Sequence, residues 1–150
     1  MEKILVVVGV QPEKVAECGR KGKKIVDWVI NHQDNYDATL AIVRKALGNA
    51  NFERSGDKIA NNNISILGYP ADNIIEVAGY DLDVNAFRKD AEYHIIGIST
   101  AASVLCIAMS MYSAGLKVSV LEDCCLDRKS DSLHKYAIKI MEAYMPGCVK

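Results

Sequence analysis

Residues Tyr93 to Leu126 read YHIIGISTAASVLCIAMSMYSAGLKVSVLEDCCL, and their pattern is the strongest predictor of the fold in this sequence. His94 to Ile98 is a short apolar run rich in β-branched residues, which is typical of a strand covered on both faces. Apolar residues then recur at helical spacing from Ser103 to Ser113, and Gly115 stands where a left-handed residue ends a helix. Lys117 to Leu121 repeats the strand pattern before two acidic residues end it. This order predicts a right-handed βαβ unit with two parallel strands.

A small polar turn, STAAS at residues 99–103, joins the first of these strands to the helix. In a parallel sheet such a turn lies at the carboxyl end of its strand, where ligands usually bind. The first N–H groups of the helix favour an anion or a developing negative charge there. Ser99, Thr100 and Ser103 can each instead cap the helix, which is the simpler interpretation for any single hydroxyl.

The rest of the chain also alternates between strand and helix patterns. Predicted strands are Lys3–Val10, Asp37–Val43, and the short runs Ile64–Leu67 and Ile74–Val77, which fit small strands or hairpin-like segments. Pro12 suits the first turn of a helix, and the apolar pattern predicts helices over about Gly22–His32 and Asp81–Lys89. A final helix, capped by Ser130 or Asp131, should turn an apolar face to the sheet: Leu133, Ala137, Ile138, Ile140 and Met141. This alternation predicts an α/β fold, a Rossmann-like three-layer α/β/α domain with a mostly parallel central sheet, over residues 1–150.

Between Arg44 and Asn63 the alternation fails. The segment RKALGNANFERSGDKIANNN is polar and is too long for an ordinary connection. We expect either a flap over a site or a mobile loop here.

Composition excludes several classes of function. With 18 basic and 19 acidic residues the net charge is −1, so we expect neither nucleic acid nor an anionic membrane as a partner. No apolar run approaches the ~18 residues of a membrane span, and no signal peptide pattern is present. The basic cluster Lys14–Lys24 is most simply a solvated helical face, and an anion-binding patch is the alternative.

Cysteine and histidine usage points to a reducing compartment without a metal. The five cysteines have no metal-type spacing, and Cys124 and Cys125 are adjacent and pair poorly with each other. The three histidines are scattered. We therefore expect a cytoplasmic protein.

Three blocks of the sequence resemble the isochorismatase-like family of cysteine hydrolases, which includes nicotinamidases. They are ILVVVGVQ at residues 4–11, Pro70–Val77 with the segment after it, and GISTAASVLCIAMSMYSAGLKVSVLEDCCLD at residues 97–127. The last block carries the most specific match. The resemblance implies the same α/β fold, a small-molecule ligand that is amide-like or carboxylate-like, and a homo-oligomer.

The family's catalytic groups do not carry over to this chain. By resemblance, the family's aspartate falls on Gly9, its lysine on about Val77 and its cysteine nucleophile on Ser103. A serine hydroxyl needs far more activation than a thiol. Metal-binding members use Asp and His after the second strand, and RKALGNANF at residues 44–52 contains neither, so we expect no metal and no cofactor.

A backbone feature of the family should outlast its catalytic groups. The family holds a non-prolyl cis peptide just before its nucleophile, and by resemblance the candidate bond is Ala101–Ala102. If that bond persists, the pocket should persist as well. The residues expected to contact a ligand are Gln11, Ser99, Thr100, Ala101, Ala102 and Ser103.

Two hypotheses about function follow. The first is a pseudoenzyme that keeps a small-molecule pocket or serves a structural or regulatory role in an oligomer. The second is an active C–N hydrolase with Cys106, one helical turn after Ser103, as a shifted nucleophile. Asp81, Asp83 or Lys58 would then have to assist it. A core cysteine is the simpler interpretation of Cys106, which lies in the apolar run LCIAM.

Overall fold

Five parallel strands form one sheet in the part of the chain that the computed structural model describes, residues 1–44, 64–80 and 82–150. The strands are β1 (Glu2–Val8), β2 (Ala38–Arg44), β3 (Asn73–Val77), β4 (Ala91–Ile98) and β5 (Lys117–Leu126), in the order β3-β2-β1-β4-β5. The helices are α1 (Pro12–His32), α2 (Ile64–Leu67), α3 (Leu105–Ser113) and α4 (Asp131–Tyr144). The predicted α/β fold with a parallel sheet is confirmed.

Helices cover both faces of the sheet because its central strands are apolar on both sides. Along β1, Val6 and Val8 pack in the core beneath α3 and α4. Leu5 and Val7 point the other way, into the core beneath α1. The result is the predicted three-layer α/β/α arrangement. A membrane-spanning helix needs a long apolar run, and no helix in the described ranges has one.

The βαβ unit at residues 91–126 forms, with two differences from the prediction. A π-helical turn, Thr100–Val104, precedes α3. β5 continues through the acidic pair to Leu126. β5 lies at the edge of the sheet. Its outer side forms backbone hydrogen bonds with the last residues of the sequence, and the Glu122 N–H donates to the Lys150 carbonyl. Acidic residues are tolerated at such an edge, so they do not end the strand.

Other boundaries correct the sequence predictions. Ile64–Leu67 is a single helical turn and not a strand, since the Gly68 N–H donates to the Ile64 carbonyl. The predicted helix at 81–89 shrinks to the 3₁₀ turn Val84–Ala86. β3 is a strand as predicted, but it pairs in parallel with β2 and forms no hairpin.

Two helices also differ in extent or orientation. α1 begins at Pro12, as predicted for a first helical turn, and runs to His32 as one helix with a kink at Gly19, where the backbone is not helical. α4 begins after Ser130, whose hydroxyl accepts from Leu133 N–H, as predicted for a cap. It buries Ala137, Ile138 and Met141, whereas Leu133 and Ile140 are about two-fifths exposed at the margin of that face. Their predicted burial is wrong.

Candidate active site

The carboxyl ends of β1, β2 and β4 meet at one point of the sheet, and most of the predicted site residues lie there. The Gly9 N–H donates to the Ile42 carbonyl at 2.8 Å, which joins the end of β1 to β2. Val8 pairs with Gly97 in the adjacent strand β4. The segment at residues 99–104 follows directly, so Gly9, Gln11 and the STAAS turn share this end of the sheet.

Gly9 adopts a backbone conformation that excludes the family's acid. Its φ is +65°, and a Cβ built on it would clash with the carbonyl oxygen of Ile98. The same Cβ position is 3.6 Å from the Lys14 ammonium nitrogen. An aspartate therefore cannot be placed here without moving the backbone, and the charged group beside the position is a cation.

The cis peptide lies three residues before the predicted bond. It joins Ile98 to Ser99, and the predicted Ala101–Ala102 candidate is wrong. Ala101 and Ala102 lie inside the π-helical turn, and helical hydrogen bonding requires trans peptides there. The cis bond is thus at the junction between β4 and this turn.

The predicted ligand residues of the turn are engaged by other parts of the protein. Ser99 Oγ accepts from the Arg128 N–H at 3.2 Å, and the fully buried Thr100 hydroxyl lies 2.7 Å from His134 Nδ1. The Ala101 N–H donates to Asp127 Oδ2 at 2.9 Å. Their contact with a ligand stays a prediction.

Ser103, at the nucleophile position, is half-buried in the turn. Its hydroxyl forms no hydrogen bond to any residue of the described ranges. A serine nucleophile needs a base within about 3 Å to take its proton. Within residues 1–44, 64–80 and 82–150, no histidine, carboxylate or amine fills that role.

Gln11 has a structural task of its own. It is 1% exposed, and its Oε1 accepts from the Arg44 N–H at 3.0 Å. Its Nε2 donates to the Arg44 carbonyl at 3.1 Å and to Glu13 Oε1 at 3.2 Å. Since both amide protons and the oxygen are engaged, Gln11 clamps the end of β2 to the end of β1, and its predicted contact with a ligand stays a prediction.

The remaining predicted residues lie apart from this clamp. Val77 ends β3 beside Arg44 and packs against the core beneath α3 and α4. Cys106 is half-buried on α3. Asp83 caps the 3₁₀ turn at 84–86 by accepting from Asn85 N–H. Lys58 and Asp81, proposed to assist Cys106, and the predicted flap or loop at 45–63 lie outside the described residues.

Sequence reasoning missed three charged or titratable residues around the turn: Asp127, Arg128 and His134. Lys14 was named only as part of the basic cluster Lys14–Lys24, although the first turn of a helix after a parallel strand lies at the carboxyl end of the sheet. The three missed residues follow β5, and their contact with the turn depends on β4 and β5 being neighbours, which spacing alone does not reveal.

Burial and neighbouring cations act together on Lys14. Burial first, and then the guanidinium groups of Arg128 and Arg44, lower the pKa of its ammonium, while the carboxylates of Glu13 and Glu17 oppose them. Because both guanidinium groups act on Lys14, the ends of β1, β2 and β5 bring three positive charges into one region.

A cavity of about 420 Å³ lies along the outer edge of β5, between α1 and α4. None of the predicted site residues lines it. Its lining residues are Lys21, Lys24, Ile25, Trp28, Asp123, Cys124, Cys125, Leu126, Asp131 and His134. His134 connects this cavity with the buried Thr100 hydroxyl of the π-helical turn.

Metal ligands were not expected, and the described ranges contain no group of three His, Cys, Asp or Glu side chains that could hold a metal ion.

Comparisons with known proteins support the family resemblance. Residues 86–148 match the family model described as the Isochorismatase domain. The structure resembles the nicotinamidase from Staphylococcus aureus, with a TM-score of 0.74 at 19% identity, covering 100% of this chain and 98% of that one. No curated protein sequence matches the chain.

Two further solved structures have the same fold. The nicotinamidase from Bacillus subtilis has a TM-score of 0.68 at 16% identity, with 99% of each chain covered. The pyrazinamidase of Pyrococcus horikoshii in complex with zinc has a TM-score of 0.63 at 16% identity, covering 100% of this chain and 98% of that one.

The fold and the matched C-terminal block define the class: an α/β protein built like the nicotinamidases. The matched block at residues 86–148 and the shared fold both support the predicted resemblance to the isochorismatase-like family.

Proposed function

We propose that this chain is a catalytically inactive isochorismatase-like protein that binds a small molecule at the carboxyl ends of β1, β2 and β4. The observation that carries the proposal is the backbone at Gly9, where positive φ and the Ile98 carbonyl leave no space for an acid. A carboxylate that moves the nucleophile's proton is thereby lost by backbone geometry as well as by residue type.

The chemistry of the turn supports the same proposal. Ser103 has no base among the described residues, and the charged side chain beside Gly9 is the Lys14 ammonium. The Ala101 N–H, which an oxyanion would need, is already bonded to a carboxylate, that of Asp127. With no base for Ser103 among the described residues and with this donor occupied, the described part of the site is poorly equipped to form and stabilise a tetrahedral intermediate.

A titration followed by NMR tests binding and turnover together. The ¹⁵N-labelled chain is mixed with a metabolite panel that includes nicotinamide and nicotinate, and both amide and ligand signals are recorded. We expect shifts of the amide signals of residues 9–14 and 99–104, and we expect no conversion of any ligand to product over days. Binding no tighter than about millimolar for every compound would remove the ligand-binding role. New product signals would remove the inactivity.

A structural role in a homo-oligomer is the second candidate. The exposed large apolar side chains include a stripe on α4 formed by Leu133, Tyr136, Ile140 and Tyr144, of which Tyr144 is 69% exposed. Such stripes are common in interfaces between protein chains. Light scattering after size exclusion tests the proposal: a mass of twice 16.5 kDa or more supports it, and a monomer mass contradicts it.

The alternative of a Cys106 hydrolase has a cheap test. Iodoacetamide labelling of the folded chain, read by mass spectrometry, compares Cys106 with Cys18, which is half-buried like Cys106, and we expect Cys106 to react no faster than Cys18. Rapid labelling of Cys106, with loss of amide turnover, would favour the alternative. All five cysteines are free in the structure, which is consistent with the cytoplasmic location that we propose.

A further inference from the structure

Among the described residues at the strand ends, Lys14 is the charged residue with the fewest hydrogen-bond or ion-pair partners. It extends from the first turn of α1 to a point 3.6 Å from the Cβ position of Gly9. Lys14 is half-buried, and its ammonium has no hydrogen bond or ion pair with any residue in the described ranges. A partly desolvated cation without a counter-charge is costly, so this geometry favours a negative group from outside the protein.

Arg44 is held beside Lys14 from two sides. The Gln11 amide fixes its backbone through the N–H and the carbonyl. Its guanidinium group lies over the Tyr80 ring, 4.8 Å from the ring centroid, and donates to the Tyr80 hydroxyl at 3.2 Å. The Gln11 amide and the Tyr80 side chain are both neutral, so these contacts do not compensate the positive charge of Arg44.

Arg128 approaches from the opposite side. Its N–H donates to Ser99 Oγ at 3.2 Å, which holds the residue against the π-helical turn. Its guanidinium group pairs with the Glu17 carboxylate at 3.1 Å. Arg128 is thus positioned by the turn that carries the predicted ligand residues.

The carboxylates nearest to Lys14 have other partners. Glu17 pairs with Arg128, and Glu13 accepts from the Gln11 amide. Among residues 1–44, 64–80 and 82–150, neither carboxylate forms an ion pair with the Lys14 ammonium.

We propose that the small molecule bound at the strand ends is a monocarboxylate, held by the Lys14 ammonium in the field of Arg44 and Arg128. This inference rests on the proposed binding function and names its ligand class. A carboxylate accepts charge-assisted hydrogen bonds from an ammonium group, and one carboxylate is enough for the one ammonium that has no ion pair among the described residues. A neutral amide of the same shape offers no such compensation.

Nicotinate and nicotinamide are a matched pair of probes, because they share a ring and differ in charge. Calorimetric titration at constant ionic strength should show that nicotinate binds about tenfold tighter than nicotinamide or more. Benzoate and acetate extend the carboxylate series, inorganic phosphate tests a different anion, and sodium chloride gives the baseline.

Lys14→Met is the decisive variant, since it keeps the aliphatic stem and removes the charge. Nicotinate binding should weaken about tenfold or more in K14M. Lys23→Met is the matched control, because Lys23 is an exposed residue of the same helix, and its binding should equal that of the unaltered chain. Thermal unfolding of both variants establishes that they fold.

The proposal is overturned if no carboxylate binds at about millimolar concentration, if nicotinamide binds as tightly as nicotinate, or if K14M and K23M bind alike. Binding of phosphate without any carboxylate also overturns it. Hydrolysis of nicotinamide would instead overturn the proposed inactivity, whatever the anion results. The two failures are therefore distinguishable.

Discussion

Gly9 is the residue on which the account of the site depends. A glycine with positive φ and no clash offers a direct control: Gly115 has φ +82° and nothing within 4 Å of its Cβ position. Gly115→Ala should lower the free energy of unfolding by about 1 to 2 kcal/mol, the cost of a left-handed alanine. Gly9→Ala should cost about 3 kcal/mol or more, since the clash with the Ile98 carbonyl is added.

Urea denaturation of both variants measures this difference. Equal losses in G9A and G115A would contradict a close backbone approach at Gly9. The same result would mean that an aspartate fits at position 9, so that only the residue type, glycine, would account for the lost acid.

The buried thiol of Cys125 predicts a pH dependence of stability. Burial raises the pKa of Cys125 from its usual 9.0 to about 12. Between these values the unfolded chain has released a proton that the folded chain still holds. The unfolded state thus binds fewer protons, so the free energy of unfolding falls as pH rises above 9, by about 1.4 kcal/mol per pH unit for this group.

Comparison with Cys125→Ala isolates this contribution from other groups that titrate at high pH. The variant will be less stable overall because a buried side chain shrinks, but its loss of stability between pH 9 and 11 should be shallower. Parallel curves for the two proteins would show that Cys125 titrates normally.

At the residue scale, the family resemblance assigns the acid position to Gly9 and the thiol position to Ser103, and residue type then predicts that both groups are lost. It could not reveal the positive φ of Gly9 or the partners of Ser99 and Thr100, which come from residues far away in the chain. The lack of an ion pair to Lys14 among the described residues also depends on which side chains the fold brings near it.

The element that organises the site is the π-helical turn, and Asp127 fixes it. The Asp127 carboxylate is 6% exposed and accepts from the N–H groups of Ala101, Lys129 and Ser130. Asp127→Asn should lower the free energy of unfolding by about 2 kcal/mol, since hydrogen bonds to a buried charge are weakened.

Asp27→Asn is the control, because Asp27 is exposed on α1 and should change stability by less than about 0.5 kcal/mol. The NMR spectrum of D127N should also show altered amide signals at residues 100–104. An unchanged turn with full stability would mean that Asp127 does not hold it.

Strands and helices were predictable where the pattern was long and periodic. The runs that became β1 and β4 were predictable because buried parallel strands are continuously apolar. β5 was cut short because an edge strand accepts acidic residues, and Ile64–Leu67 was misjudged because four apolar residues fit a strand or a single helical turn equally well. The cis bond was misplaced by three residues because a resemblance alone fixed its position.

For the whole molecule, alternation of strands and helices was sufficient to predict the three-layer architecture. The strand order β3-β2-β1-β4-β5 was not predicted, yet it is this order that brings the ends of β1, β2 and β4 together. Activity does not follow from the architecture, since the same fold is found in the nicotinamidases. The groups at the strand ends decide it.

Release of ammonia from nicotinamide and pyrazinamide is the measurement that would detect catalysis by this chain. With the purified chain over hours, in a coupled assay, we expect no release above the uncatalysed rate, because no base among the described residues reaches Ser103 and no acid fits at Gly9. Turnover that disappears in Ser103→Ala or Cys106→Ala would contradict the account.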